Sequence, residues 1–166
     1  MLVPLRLATP LAGRSCGGPH AKPWPWEYAS SPDGARYAAG EMQEIFNDCG
    51  SADRTALLAE LDVKMQRASR GTLVYVRTLP DGRREGDVCL MESARTVLEI
   101  RLSTRPGEGE SLRKVRWYFT EPESREVLLA LRAAANYPDE AGLIEQTADA
   151  KLAAARGDAW NTNEGA

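Results

Sequence analysis

The chain has 166 residues and a formal net charge of −3, with 43% apolar and 27% charged side chains. That suits one domain with a buried core and is too little for two of ordinary size. No apolar run approaches the ~20 residues of a membrane span, and three scattered cysteines with a single histidine argue against zinc and disulfide frameworks.

The charge is unevenly spread. Residues 1–63 carry 5 basic and 8 acidic side chains, residues 64–132 carry 14 and 10, and residues 133–166 carry 2 and 6, so the middle is the basic part. The acidic total speaks against general nucleic-acid binding, which rests on clustered positive charge.

Residues 1–23 are rich in Gly and Pro and read as a disordered leader, with His20 as an exposed tail residue. Pro4, Arg6 and Pro10 interrupt its apolar positions, so no signal-peptide core forms, and a cytoplasmic location is expected. Residues 23–29, with two tryptophans and two prolines, suit a short edge strand.

Ser31 and Pro32 signal a helix start, and Ala38, Met42, Ile45, Phe46 and Cys49 share one helical face before Gly50 ends it. Ser51 or Asp53 caps a second helix with the stripe Leu57, Leu58, Leu61, Met65 and Ala68, closed by Gly71. The pair reads as a helical hairpin, and its two stripes need a sheet to cover.

A strand follows over residues 72–78, ended by the turn Pro80-Asp81-Gly82, with a weaker one at residues 87–91. Residues 97–103 and 112–120 form an antiparallel pair around a flexible loop, and a third run spans residues 126–131. A last helix runs from an Asp139 cap to Arg156, with Ile144, Ala148, Leu152 and Ala155 as its apolar stripe, stopped by Gly157. Residues 161–166 read as a frayed tail, leaving one domain over residues 24–160. The fold class is α+β: a helical hairpin on one face of a small, mainly antiparallel sheet, with a C-terminal helix.

Strand parity sorts the central pair. Leu98, Ile100 and Leu102 share a face with Val115, Trp117 and Phe119, and this apolar face must be covered. The opposite parity carries Glu99 and Arg101 on one strand and Lys114, Arg116 and Tyr118 on the other. Solvated sheet faces commonly hold such residues, so the bland reading is a plain wet face.

The chain has no phosphate-binding loop, dinucleotide fingerprint, zinc-protease motif or hydrolase elbow. The acidic pairs Asp81/Asp87 and Glu121/Glu123 fall in turns, where acids are ordinary. Chemistry therefore rests on Arg101, Arg116 and Tyr118, with Lys114, Arg113 and Arg132 as further basic contacts. Arginine's planar fork holds a phosphate with two charge-assisted bonds. Two arginines can stabilise charge developing on its oxygens, and a tyrosine beside cations can stack on a base or move a proton. That is the equipment of a metal-free, cofactor-free ribonuclease, and it equally suits a binder of phosphate or of an acidic partner.

The order strand, helical hairpin, antiparallel strands, terminal helix resembles the RelE/ParE superfamily of toxin–antitoxin toxins, most closely its HigB-like, phage-related branch. The resemblance lies in the hairpin (residues 35–70), Leu79-Pro80-Asp81-Gly82, Val97-Leu98-Glu99-Ile100-Arg101, Lys114-Val115-Arg116-Trp117-Tyr118-Phe119, Val127-Leu128-Leu129-Ala130 and Ile144-Glu145-Gln146-Thr147-Ala148. It covers about residues 24–160. It implies a cationic groove on the sheet face away from the hairpin and an endoribonuclease acting on mRNA at the ribosome. It also implies a cognate antitoxin, a helix-turn-helix protein encoded beside the toxin. Arg101 and Arg116 match the strand positions that contact the scissile phosphate. The family's paired lysines after the third strand are absent, and Arg132 stands in that segment. The resemblance also leaves a catalytically inactive interaction module, or a ParE-like gyrase poison, as alternatives, since a fold does not dictate a target.

Overall fold

In the computed structural model, residues 15–123 and 125–164 are described. Most of the expected leader (residues 1–14) and the last two tail residues lie outside them. The remainder of the leader is attached to the domain. Ser15 is buried and its backbone N–H donates to Glu121 Oε1 at 2.8 Å, while His20 N–H donates to Arg70 O at 2.9 Å and the His20 ring stacks on Trp24.

The elements in order are β1 (Trp26–Tyr28), α1 (Tyr37–Asn47), α2 (Ser51–Ser69), β2 (Arg77–Thr78), β3 (Arg84–Glu85), β4 (Val88–Leu90), β5 (Leu98–Arg101), β6 (Lys114–Thr120), β7 (Leu128–Asn136) and α3 (Glu140–Glu164). Five strands make one sheet in the order β1-β7-β6-β5-β4, antiparallel except for β1 against β7, and β2 and β3 form a separate ribbon.

Several boundaries moved for identifiable reasons. Ser31 closes a turn with Ala35 instead of capping a helix, and α1 begins six residues later at Tyr37. Of the strand expected over residues 72–78, only Arg77–Thr78 pairs as a strand, with a single bridge from Tyr75 to Val88. β7 extends to Asn136 because its alanines are covered on both faces, and a strand buried on both sides reads as an unbroken apolar run. α3 continues past Gly157 and Trp160 to Glu164.

The central pairing follows the parity reading: Leu98 faces Phe119, Ile100 faces Trp117 and Arg101 faces Arg116. Leu98, Ile100, Leu102, Val115, Trp117 and Phe119 join one core with Ala38 and Met42 of α1 and Leu57, Leu61 and Ala68 of α2. Trp26 and Tyr28 add edge-on aromatic contacts to it, Trp26 against both Trp117 and Phe119.

The second face holds another core, in which Tyr118, Leu129, Leu131 and Ala134 meet Ala150 and Ala153 of α3. Helices therefore cover both sides of the sheet. The stripe Ile144, Ala148, Leu152 and Ala155 expected to pack is instead the exposed side of α3, and the helix presents the neighbouring face. No helix among the described residues is long and apolar enough to cross a membrane.

Candidate functional site

The polar parity of β5 and β6 lies under the N-terminal half of α3. Glu99 and Tyr118 are fully buried and Arg116 is 6% exposed, so the middle of the expected open groove is roofed. The cause is complementarity of polar groups, since this half of α3 offers Gln146 and Asp149 to the sheet.

Glu99 is the hub. Its Oε1 takes Arg101 Nε at 2.9 Å, and its Oε2 sits 3.2 Å from Arg116 Nε and accepts from Gln146 Nε2 at 2.6 Å. Arg116 is further committed. Its Nη1 donates to Asn136 Oδ1 at 3.2 Å and its Nη2 to Gln146 Oε1 at 3.3 Å. Burial, followed by the nearby Glu99 carboxylate, pushes the Tyr118 phenol well above its ordinary value. A phenol so placed holds its proton and cannot reach a ligand while α3 is in position.

Beside this floor the sheet opens into a cleft of about 470 Å³, lined by Arg84, Arg101, Arg105, Lys114 and Arg116 with Leu102, Leu143 and Gln146, and no acidic residue lines it among the described residues. Arg84 and Arg105 are exposed, and Arg101 and Lys114 are half-buried. The β2–β3 ribbon delivers Arg84, the loop after β5 delivers Arg105, and cross-strand register sets Arg101 next to Arg116. Burial, then Arg116, Arg105 and Arg101, lower the Lys114 ammonium below its ordinary pKa. Lys114, Arg101, Arg105 and Arg116 therefore stand close enough to repel one another at this opening.

The remaining basic residues singled out from the sequence stand elsewhere. Arg132 is neutralised by Glu41 at 2.7 Å and by Asp149, and the same Glu41 oxygen takes Arg156 at 2.8 Å. Arg113 lies 4.6 Å over the Tyr137 ring and donates to its hydroxyl at 3.1 Å. Both line a different cleft, one rich in carboxylates including Glu44 and Asp48. Of the six expected residues, the fold brings Arg101, Lys114 and Arg116 to the cationic cleft, buries Tyr118 behind it, and takes Arg113 and Arg132 away.

Arg84 and Arg105 escape a pattern reading because each lies in a short ribbon or loop whose position is set by tertiary contacts. The Arg83-Arg84 pair just after the Asp81-Gly82 turn is the only local hint. Among the described residues no group of His, Cys, Asp and Glu is arranged to hold a metal ion. No family model matches this chain, and neither does any curated protein or solved structure.

Proposed function

We propose that this chain is a RelE/ParE-like toxin that cleaves mRNA at the ribosome without a metal, with its cationic cleft as the RNA site. One observation carries the reading: five basic side chains line one opening, four around its rim and Arg116 in its floor, with no carboxylate among its described lining residues. An RNA backbone is the polyanion such an opening suits, since phosphates take charge-assisted bonds from arginine forks. The element order supports the RelE-like reading, with α1 and α2 as its helical hairpin.

In this scheme Arg101 grips the scissile phosphate, with Arg116 adding positive potential from the floor. Lys114 takes over proton transfer, the task Tyr118 cannot perform while buried. A neutral Lys114 amine accepts the 2′-hydroxyl proton, and the 2′-oxygen then attacks phosphorus. The P–O5′ bond breaks to leave a 2′,3′-cyclic phosphate, and water protonates the departing 5′-oxygen. A lowered pKa favours this role because it raises the fraction of amine at neutral pH. The partners would be mRNA on the ribosome and an antitoxin encoded next door.

The test is induction in a bacterial host together with an RNA cleavage assay on translating ribosomes. Wild type should arrest growth and cut RNA, and Arg101→Ala and Lys114→Ala should relieve both while remaining folded. A Lys114→Ala protein as toxic as its parent refutes the assignment. The burial of Arg116 and Tyr118 favours a second reading, a binding-only relative that holds an acidic partner in the same cleft. Harmless induction, with no RNA cleavage on translating ribosomes, selects it.

A further inference from the structure

We infer that Glu99 is the positioning residue of the cationic cleft: it holds the Arg101 guanidinium by Nε so that its terminal amino groups, which meet no carboxylate of the described residues, can take a phosphate. The inference rests on the proposed RNA site and deepens it. Glu99 is fully buried at the centre of β5, where a carboxylate persists only with strong partners. Those partners are fixed: Arg116 Nε at 3.2 Å and Gln146 Nε2 at 2.6 Å on one oxygen, with Cys89 Sγ at 3.7 Å beside Arg101 Nε on the other.

The two arginines are used differently. Arg116 spends its terminal nitrogens on Asn136 and Gln146 and is locked as the floor. Arg101 meets a carboxylate through Nε alone, and Glu99 is its one acidic partner among the described residues. Its side chain is 32% exposed at the cleft. A guanidinium anchored through Nε loses rotational freedom before the ligand arrives, which reduces the ordering cost of a two-point phosphate contact.

Positioning and bulk electrostatics make opposite predictions, so the sign of one measurement separates them. Glu99→Gln removes a negative charge beside a cationic cleft, which by charge alone should tighten polyanion binding. If Glu99 positions Arg101, affinity for a 2′-O-methyl RNA oligonucleotide should instead fall by about tenfold or more. The salt dependence should weaken by about one phosphate contact, a slope change of ~0.7 for a single strand. Unchanged or tighter binding overturns the inference.

Should Glu99→Gln fail to fold, Arg101→Lys keeps the charge but lacks the Nε fork, and the same loss is expected; full affinity in that variant overturns the inference. A wild-type protein that binds pyrophosphate but no oligonucleotide refutes the RNA reading alone, and the comparison is then run on pyrophosphate. If neither binds, the Arg101 Nε–H resonance decides. It should be sharp and exchange-protected in wild type and lost in Glu99→Gln, and an unchanged resonance rules positioning out.

Discussion

Replacing Arg116 with alanine tests the burial of the polar face. In the folded protein Glu99 would keep Arg101 at 2.9 Å, Gln146 at 2.6 Å and the weak Cys89 thiol contact at 3.7 Å, but lose its buried cationic partner. Breaking a buried pair from one side costs about 3–5 kcal/mol. The surviving contacts to Glu99 place this case near the lower end, at about 3 kcal/mol. For a domain of this size each kcal/mol moves Tm by about 2–4 °C, so Tm should fall by about 6–12 °C. Urea denaturation followed by circular dichroism should show a lower midpoint at an unchanged m-value. Arg101→Ala is the control. Its side chain is partly exposed and Glu99 keeps Arg116, so the expected loss is about 1 kcal/mol. A loss for Arg116→Ala within ~0.5 kcal/mol, the scale of an ordinary surface substitution, would mean that Arg116 faces water and α3 is no roof. The result also bears on function: loss of toxicity in Arg116→Ala reports unfolding as much as catalysis, whereas Lys114→Ala leaves the buried hub intact and Arg101→Ala leaves Glu99 its Arg116 and Gln146 partners.

Three other outcomes can be measured. If Lys114 is the proton acceptor, the cleavage rate should rise with pH through a midpoint below the ordinary lysine value, because only the neutral amine works; a rate flat from pH 6 to about 9 would exclude it. Burial raises the Glu60 carboxyl, but Lys64 and the backbone N–H groups of Ser103 and Thr104 outweigh it and hold the pKa at about 2, against 4.5 ordinarily. A folded pKa below the unfolded one contributes stability above pH 4.5 that is lost as pH falls toward 2; Glu60→Gln should therefore lower Tm at pH 7 and flatten its dependence on acid. Gly71 sits at φ +75°, and a Cβ there would meet Gly18 O at 2.1 Å. Gly71→Ala should cost at least ~1 kcal/mol and free the strap around His20, visible as faster amide exchange at Gly18 and His20.

Much of the site's surroundings was legible in advance. Alternation along residues 97–103 and 112–120 identified the six apolar residues that α1 and α2 cover, and the same alternation put Arg101, Lys114 and Arg116 on one side. The roof over that side was not legible. α3 has a weak apolar pattern, and Ile144 and Leu152, its most apolar-looking positions, are 68% and 42% exposed. Its sheet-facing groups are small or polar, Gln146, Asp149, Ala150 and Ala153, and they pair with Glu99, Arg116, Asn136 and Arg132.

The physical division follows from range. Side-chain parity is a property of each extended backbone segment, so the sequence by itself determined which residues share a face. Which element covers a polar face depends on hydrogen bonds and ion pairs between residues up to 115 positions apart, such as Glu41 with Arg156, and these leave no periodic trace. Only the tertiary structure decided that Tyr118 is a core residue, that Arg116 is a floor, and that Arg84 and Arg105 complete the cleft.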